Sequence, residues 1–316
     1  MAEASAGTAI SVEDLHMSYG PNEAVRGISF EVAAGEVFGF LGPNGAGKTT
    51  TIEILEGYRK RTKGELSVLG TDPGRPTRQW RARIGLVLQE CELDPTLTVR
   101  ELVTLFAAFY PSPSSVDETI ELVGLAEKRD ARVGTLSGGQ RRRVDVAVGI
   151  IGDPELVFLD EPTTGFDPSA RRDAWNMIAG LKDLGKTVFL TTHYMDEAQH
   201  LADRVAILRH GELAAVGDLA EIGAGTGAHA VIRFRIPEGT SADEIRAAVE
   251  EPLELSGDVA TIKVDSPQRP LYRLTGWAEQ RGVVLEGLEA VHPTLEDIFL
   301  ELTAGDGATT KEATDG

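Results

Sequence analysis

An α/β domain built on a largely parallel sheet, followed by a smaller α+β unit, is the fold class that this 316-residue chain predicts. Three observations carry the expectation. Strand-like and helix-like patterns alternate from residue 9 to about residue 222, as they do where crossover helices join parallel strands. Three short stretches, 37–41, 156–159 and 187–191, are rich in apolar residues with almost no alternation, which suits central strands covered on both faces. The first of them runs straight into a glycine-rich turn and then a helix.

Taken in order, residues 1–8 are small and polar, with no basic start and no apolar run, so no secretory signal is expected there. The strand at 37–41 leads to a helix from Thr49, where Ile52, Ile54 and Leu55 are apolar among polar neighbours. Residues from about 94 to 150 read as a helical insert. Thr98 precedes Leu102, Leu105 and Phe106, prolines and serines at 111–115 break the pattern, and 116–128 gives a second short helix. The domain at 9–222 then passes to residues 223–229, a flexible joint by its glycine content. Beyond it, 230–236, 259–264 and 283–285 read as strands. Residues 242–251 and the stretch from Thr294 read as helices, a small α+β domain over 230–303 of ferredoxin-like plan. Residues 304–316 are small and polar and are expected to be disordered.

Composition excludes several classes of function. With 50 acidic against 31 basic residues the net charge is −19, which repels phosphate backbones, so no nucleic-acid partner is expected. The basic runs at 59–63 and 141–143 are too short to reverse this. The single cysteine, Cys91, allows no intrachain disulfide and no thiolate metal cluster, and it fits a reducing cytosol. No apolar run approaches the roughly 20 residues that a membrane-spanning helix needs. Any action on a membrane must therefore go through a partner.

Gly42-Pro43-Asn44-Gly45-Ala46-Gly47-Lys48-Thr49 fits the phosphate-loop pattern G-x-x-x-x-G-K-[ST], and it has the required strand before it and helix after it. Glycines let successive backbone N–H groups point at phosphate oxygens, and the helix adds its positive end. Lys48 is placed to reach the β- and γ-phosphates, Thr49 to ligate Mg²⁺, and Thr50 to add a phosphate contact. At the end of the 156–159 strand come Asp160 and Glu161. Asp160 suits Mg²⁺, which takes hard oxygen ligands, and Glu161 is free to polarise an attacking water. An Asp-Glu pair at a strand end is unremarkable alone; beside a phosphate cradle it points to hydrolysis of a bound triphosphate.

Leu136-Ser137-Gly138-Gly139-Gln140-Arg141 resembles the signature sequence of the ATP-binding cassette (ABC) ATPases. The resemblance covers about residues 10–222 and implies a P-loop ATPase of that family, hydrolysing ATP with Mg²⁺. It further implies that Ser137, Gly138, Gly139 and Gln140 meet the nucleotide held by the other copy in a head-to-tail homodimer. Tyr19 resembles the aromatic residue that stacks on adenine. Gln89 resembles the glutamine that senses Mg²⁺, Asp167 the residue of the loop that crosses the dimer interface, and His193 the histidine at the γ-phosphate. Phe166 stands where leucine is usual.

Lys48 and Ser137 are only 89 positions apart with no heptad array between them, unlike the chromosome-organising relatives, and one cassette is present where translation-factor relatives have two. A segment from Val291 to Thr303 resembles the end of drug-resistance exporter ATPases of the daunorubicin type; read by itself it is an amphipathic helix capped by Thr294. The implied function is the motor of an exporter of drugs, antibiotics or lipid-like compounds. In that role it would sit at the cytoplasmic face of the membrane, bound to a separate multi-helix permease. A soluble ABC ATPase acting on a ribosome or on DNA, or a nucleotide-dependent sensor, is the alternative.

Overall fold

Strands β1 (Thr8–Tyr19) and β2 (Asn22–Ala33) pair antiparallel across a turn at Gly20 and Pro21, in a computed structural model that describes residues 7–88, 92–226, 229–291 and 293–304. β3 (Val37–Leu41) leads to α1 (Lys48–Leu55), and β4 (Lys63–Val68) returns to the outer side of β1, completing a three-stranded sheet ordered β2-β1-β4. This sheet is not foreshadowed by any of the three apolar stretches. α2 (Arg78–Ala82) and β5 (Ile84–Val87) follow.

The helical insert comprises α3 (Val99–Ala107), α4 (Val116–Leu122) and α5 (Gly138–Ile150). Thr98 caps α3 in a reciprocal pair of bonds with Glu101. α4 is shorter than the expected 116–128: it closes at Gly124, whose φ of +69° suits a residue without Cβ, and residues 126–128 form a separate 3₁₀ turn. Then come β6 (Leu156–Asp160), α6 (Pro168–Asp183), β7 (Thr187–Thr192), α7 (Met195–Leu201), β8 (Arg204–Arg209) and β9 (Glu212–Gly217). The main sheet is ordered β5-β6-β7-β3-β8-β9, parallel except at β9, so the phosphate-loop strand lies centrally.

Successive residues in the central strands explain their lack of alternation. Phe38, Phe40, Phe158 and Phe189 pack with Phe30 and with Ile52 and Ile54 of α1 on one face. Val37, Val157, Leu159, Val188 and Leu190 enter a second core with α3, α5 and α6 on the other. Each such side chain contributes about 1.5–3 kcal/mol by leaving water.

The second unit begins at Leu219. The joint expected at 223–229 is helical through Thr226, because α8 (Leu219–Thr226) buries Ile222 in its own unit. β10 (Ala230–Arg235), α9 (Ala242–Val249), β11 (Glu254–Ser256), β12 (Val259–Val264), α10 (Gln268–Arg281), β13 (Glu289–Val291) and α11 (Leu295–Ala304) complete it. The antiparallel order β11-β12-β10-β13 with two intervening helices is that of a ferredoxin-like sandwich. Residues 283–285 are not a strand. They follow Gly282, which closes α10 at φ +64°, and Val284 lies open to solvent; β13 starts four residues later. Thr294 caps α11 as expected, its Oγ1 accepting from the Asp297 N–H at 3.1 Å.

Candidate active site

The phosphate loop is shaped by two close approaches of backbone to backbone. A Cβ at Gly42 would lie 2.3 Å from Leu208 O, and one at Gly47, which sits at φ +108°, would lie 2.6 Å from Ala24 O. Only glycine fits either position. Lys48 folds back under the curl and is nearly fully buried; its Nζ donates to Gly42 O at 2.9 Å and to Pro43 O at 3.3 Å. Ala46 also acts through its backbone, accepting from the Gly211 N–H at 3.0 Å. No side chain caps α1, so the first N–H groups of the helix keep their direction toward an anion at its positive end. Asn44, Gly45, Gly47, Lys48, Thr49 and Thr50 line a cavity of about 580 Å³ with Glu161, Thr164 and His193.

At the end of β6 the chain changes direction within one residue. Asp160 is still in the strand, buried, and accepts a hydrogen bond from Thr191 Oγ1; burial holds its carboxyl above the usual range although that bond opposes the shift. Glu161 has φ +46°, a left-handed conformation that costs a side-chain-bearing residue on the order of 1–3 kcal/mol. Thr191 sustains it, because the Glu161 N–H donates to both Thr191 O and Thr191 Oγ1 at 3.1 Å. The turn brings the Glu161 carboxylate to 3.5 Å from Lys48 Nζ and 3.2 Å from His193 Nδ1, with Thr164 Oγ1 donating to it at 3.2 Å. A carboxylate, an ammonium and an imidazole thus line one cavity.

Asp160 and Thr49 offer hard oxygens to a divalent ion. Among the described residues no group of three or more His, Cys, Asp or Glu is placed to hold a metal unaided. That donor set fits Mg²⁺, which keeps waters and completes its shell with substrate phosphates. Tyr19 stands at the edge of the site, 42% exposed, its hydroxyl 3.3 Å from Thr50 Oγ1 and its ring under the Arg59 guanidinium at 5.1 Å.

The signature residues line a different space. Ser137 caps α5, with its Oγ accepting from the Gln140 N–H at 3.2 Å and Gln140 Oε1 accepting from the Ser137 N–H at 3.1 Å. Ser137, Gly138, Gly139, Phe166 and Asp167 surround a cavity of about 1000 Å³ that, among the described residues, shares only Glu161 and Thr164 with the phosphate-loop cavity. Within one chain the signature and the phosphate loop are therefore not brought together.

Comparison with known proteins shows the family. Residues 25–164 match the family described as ABC transporter, and residues 230–294 match the C-terminal domain of ABC transporter domain-containing proteins. Nod factor export ATP-binding protein I of Burkholderia pseudomallei (strain 1710b) is 38% identical over 306 residues, covering 93% of this chain and 96% of that protein. The chain belongs to the ABC transporter ATPase family. The solved structure of cbiO1 from Clostridium perfringens, described as part of the transporter complex cbiONQ, is 27% identical with a TM-score of 0.63, over 69% of this chain and 91% of that one. A dimeric ATP-binding cassette in a post-hydrolysis state bound to ADP and Pi is 25% identical with a TM-score of 0.60, over 66% and 98%.

As an ABC transporter ATPase the chain binds and hydrolyses ATP, and no helix among its described residues is long and apolar enough to cross a membrane. Gln89 lies outside the described residues. Asp167 also acts within its own chain, where Oδ1 accepts from the Ser169 and Ala170 N–H groups at 2.8 and 2.9 Å and so caps α6. Sequence alone did not single out Thr191, the support of both carboxylates, although Thr191-Thr192-His193 carried the signal of a polar strand end. Nor did it separate Arg142 from its neighbours in the basic run. The helical spacing of Arg142, Val146 and Gly149 on the buried face of α5 could have done so.

Proposed function

We propose that Glu161, Lys48 and His193 carry out the hydrolysis, that two copies of the chain close on two ATP molecules, and that a separate membrane permease receives the motion. The position of Glu161 supports the chemistry best, because its carboxylate lies within 3.5 Å of Lys48 Nζ and 3.2 Å of His193 Nδ1. A water between Glu161 and the γ-phosphate gives up its proton to the carboxylate as it attacks in line. Lys48 leaves the carbonyls of Gly42 and Pro43 for the phosphate oxygens and takes up charge there, while His193 orients the water. Asp160, Thr49 and Gln89 would hold Mg²⁺, which would neutralise charge on the phosphates. Tyr19 stacks on adenine, and Thr50 and the backbone from Gly42 to Gly47 cradle the phosphates.

Ser137, Gly138, Gly139, Gln140 and Asp167 serve the nucleotide held by the opposite copy. The separate cavity that Ser137, Gly138, Gly139 and Asp167 line and the dimeric solved relative both support that reading. The export name of the relative supports an exporter; that it carries drugs, antibiotics or lipid-like compounds, with this chain at the cytoplasmic face of the membrane, rests on the resemblance of residues 291–303 to drug-resistance exporter ATPases. Glu161→Gln should keep ATP affinity while kcat falls by roughly 10²–10⁴-fold, the usual worth of a general base; brisk turnover by that variant removes Glu161 from the mechanism. For the transport half, the tagged chain purified from mild detergent extracts of its host's membranes should bring down a multi-helix membrane protein in near-equal amount. Recovery of ribosomes, or of no membrane protein, overturns that half alone.

A further inference from the structure

The basic run at 141–143 is three residues with three destinations. Arg141 Nη1 donates to Leu136 O at 2.7 Å, and Arg143 pairs across to Asp173 of α6 at 2.8 Å. Arg142 instead points inward and is 9% exposed. Its guanidinium donates through Nε to Pro162 O at 3.2 Å, through Nη2 to Asp160 O at 3.0 Å, and through Nη1 to Leu88 O. Two of these carbonyls belong to the residues on either side of Glu161, and the third ends the segment immediately before Gln89.

We propose that Arg142 is a positioning residue, a clamp by which the signature helix α5 fixes the turn that aims Glu161. The inference rests on the role of Glu161 proposed above. A left-handed glutamate persists only where its surroundings over-determine it, and Arg142 holds the carbonyls of the residues before and after it, Asp160 and Pro162. The planar fork of a guanidinium can reach several acceptors at set angles, which an ammonium on a flexible stem cannot do. Burying this charge would be costly without compensation. Three carbonyl dipoles supply it, together with the Asp145 carboxylate one turn along α5 at 3.6 Å. Arg142 lines the signature-side cavity and not the phosphate-loop cavity, so it acts through Glu161 and touches no group of the reacting phosphate held by its own chain. Since α5 starts at the signature, displacement of that helix reaches the catalytic turn and the segment before Gln89 through one side chain.

The test compares kcat, the Kd for ATP and the urea-unfolding midpoint. Arg142→Ala strands a carboxylate and three carbonyls, so the double variant Arg142→Gln/Asp145→Asn, which removes both buried charges together, guards against a folding failure. It should turn over ATP on the order of 10²-fold more slowly, the cost of misplacing a catalytic group by about an ångström, with Kd and midpoint close to those of the parent. Arg142→Lys, charged but unforked, should also be slow. Millimolar guanidinium should raise kcat of Arg142→Ala above an equal concentration of sodium chloride. Parental turnover by the double variant or by Arg142→Lys overturns the clamp. So does a loss of kcat that comes with weakened ATP binding and a lowered midpoint and that guanidinium does not relieve. Glu161→Gln separates the two ideas: if it is inactive while the Arg142 variants are fully active, the clamp alone falls, and if it retains turnover, the base assignment falls first.

Discussion

Glu56 follows the last residue of α1, and only 6% of it is exposed. Burial, and then the nearby charges of Asp160 and Glu53, push its carboxyl up from 4.5 to about 8. The folded chain therefore holds a proton that the unfolded chain releases between those two values. Stability falls as pH rises through that window and levels off above about pH 8. Glu56→Gln, which keeps the shape without the proton, should be more stable than the parent near neutral pH, by up to a few kcal/mol at about 1.4 kcal/mol per pKa unit. Urea unfolding across the window should show the gap between the two narrowing toward acid; a gap that does not change with pH refutes the buried-acid account. Such a residue cannot be found by reading the sequence, since Glu56-Gly57 looks like an ordinary solvated helix end. The identity of Glu161 could be read beside the phosphate loop, whereas its left-handed backbone and the Arg142 fork depend on contacts between segments distant in the chain.

At the level of elements, what joins the signature helix to the sheet is a pair of facing glycines. A Cβ on Gly85 of β5 would lie 2.4 Å from Gly149 O, and one on Gly149 of α5 would lie 2.8 Å from Val87 Cγ2 and 2.9 Å from Leu86 O. Neither glycine needs an unusual φ; each is there so that helix and strand can touch. Gly149→Ala forces α5 off β5 and should cost about 1–3 kcal/mol as overpacking, read from the urea midpoint. It should also slow ATP turnover, because the displaced helix carries Arg142. An unfolding midpoint equal to the parent's would mean that the contact has slack. The three central strands were legible because both their faces are buried, which fills them with apolar residues. α10 was not, since its first turn contains Pro270, and 283–285 misled because β-branched composition reports a fit to a pleated surface and these residues have none. The strand β13 is three residues long with all three residues exposed, too short to leave a pattern.

For the molecule as a whole, the two cavities define what a single chain lacks. The signature loop of one copy does not share a space with its own phosphate loop, yet Gly138 faces open volume: a Cβ there would meet nothing within 4 Å. A side chain at this position is therefore compatible with the fold of one chain, and any effect it has must come from what docks there. In the Glu161→Gln chain, where ATP is bound and not turned over, adding ATP should convert monomer to dimer in sedimentation velocity. On the proposed head-to-tail arrangement, Gly138→Glu in that background places a carboxylate where the γ-phosphate held by the second copy would settle, and like charges in close contact repel strongly out of water. The doubly substituted chain should bind ATP with unchanged affinity and stay monomeric. If it dimerises as readily as its parent, the signature does not face the nucleotide of a second copy. If it loses ATP affinity as a monomer, the signature serves the nucleotide of its own chain, and the head-to-tail arrangement is wrong.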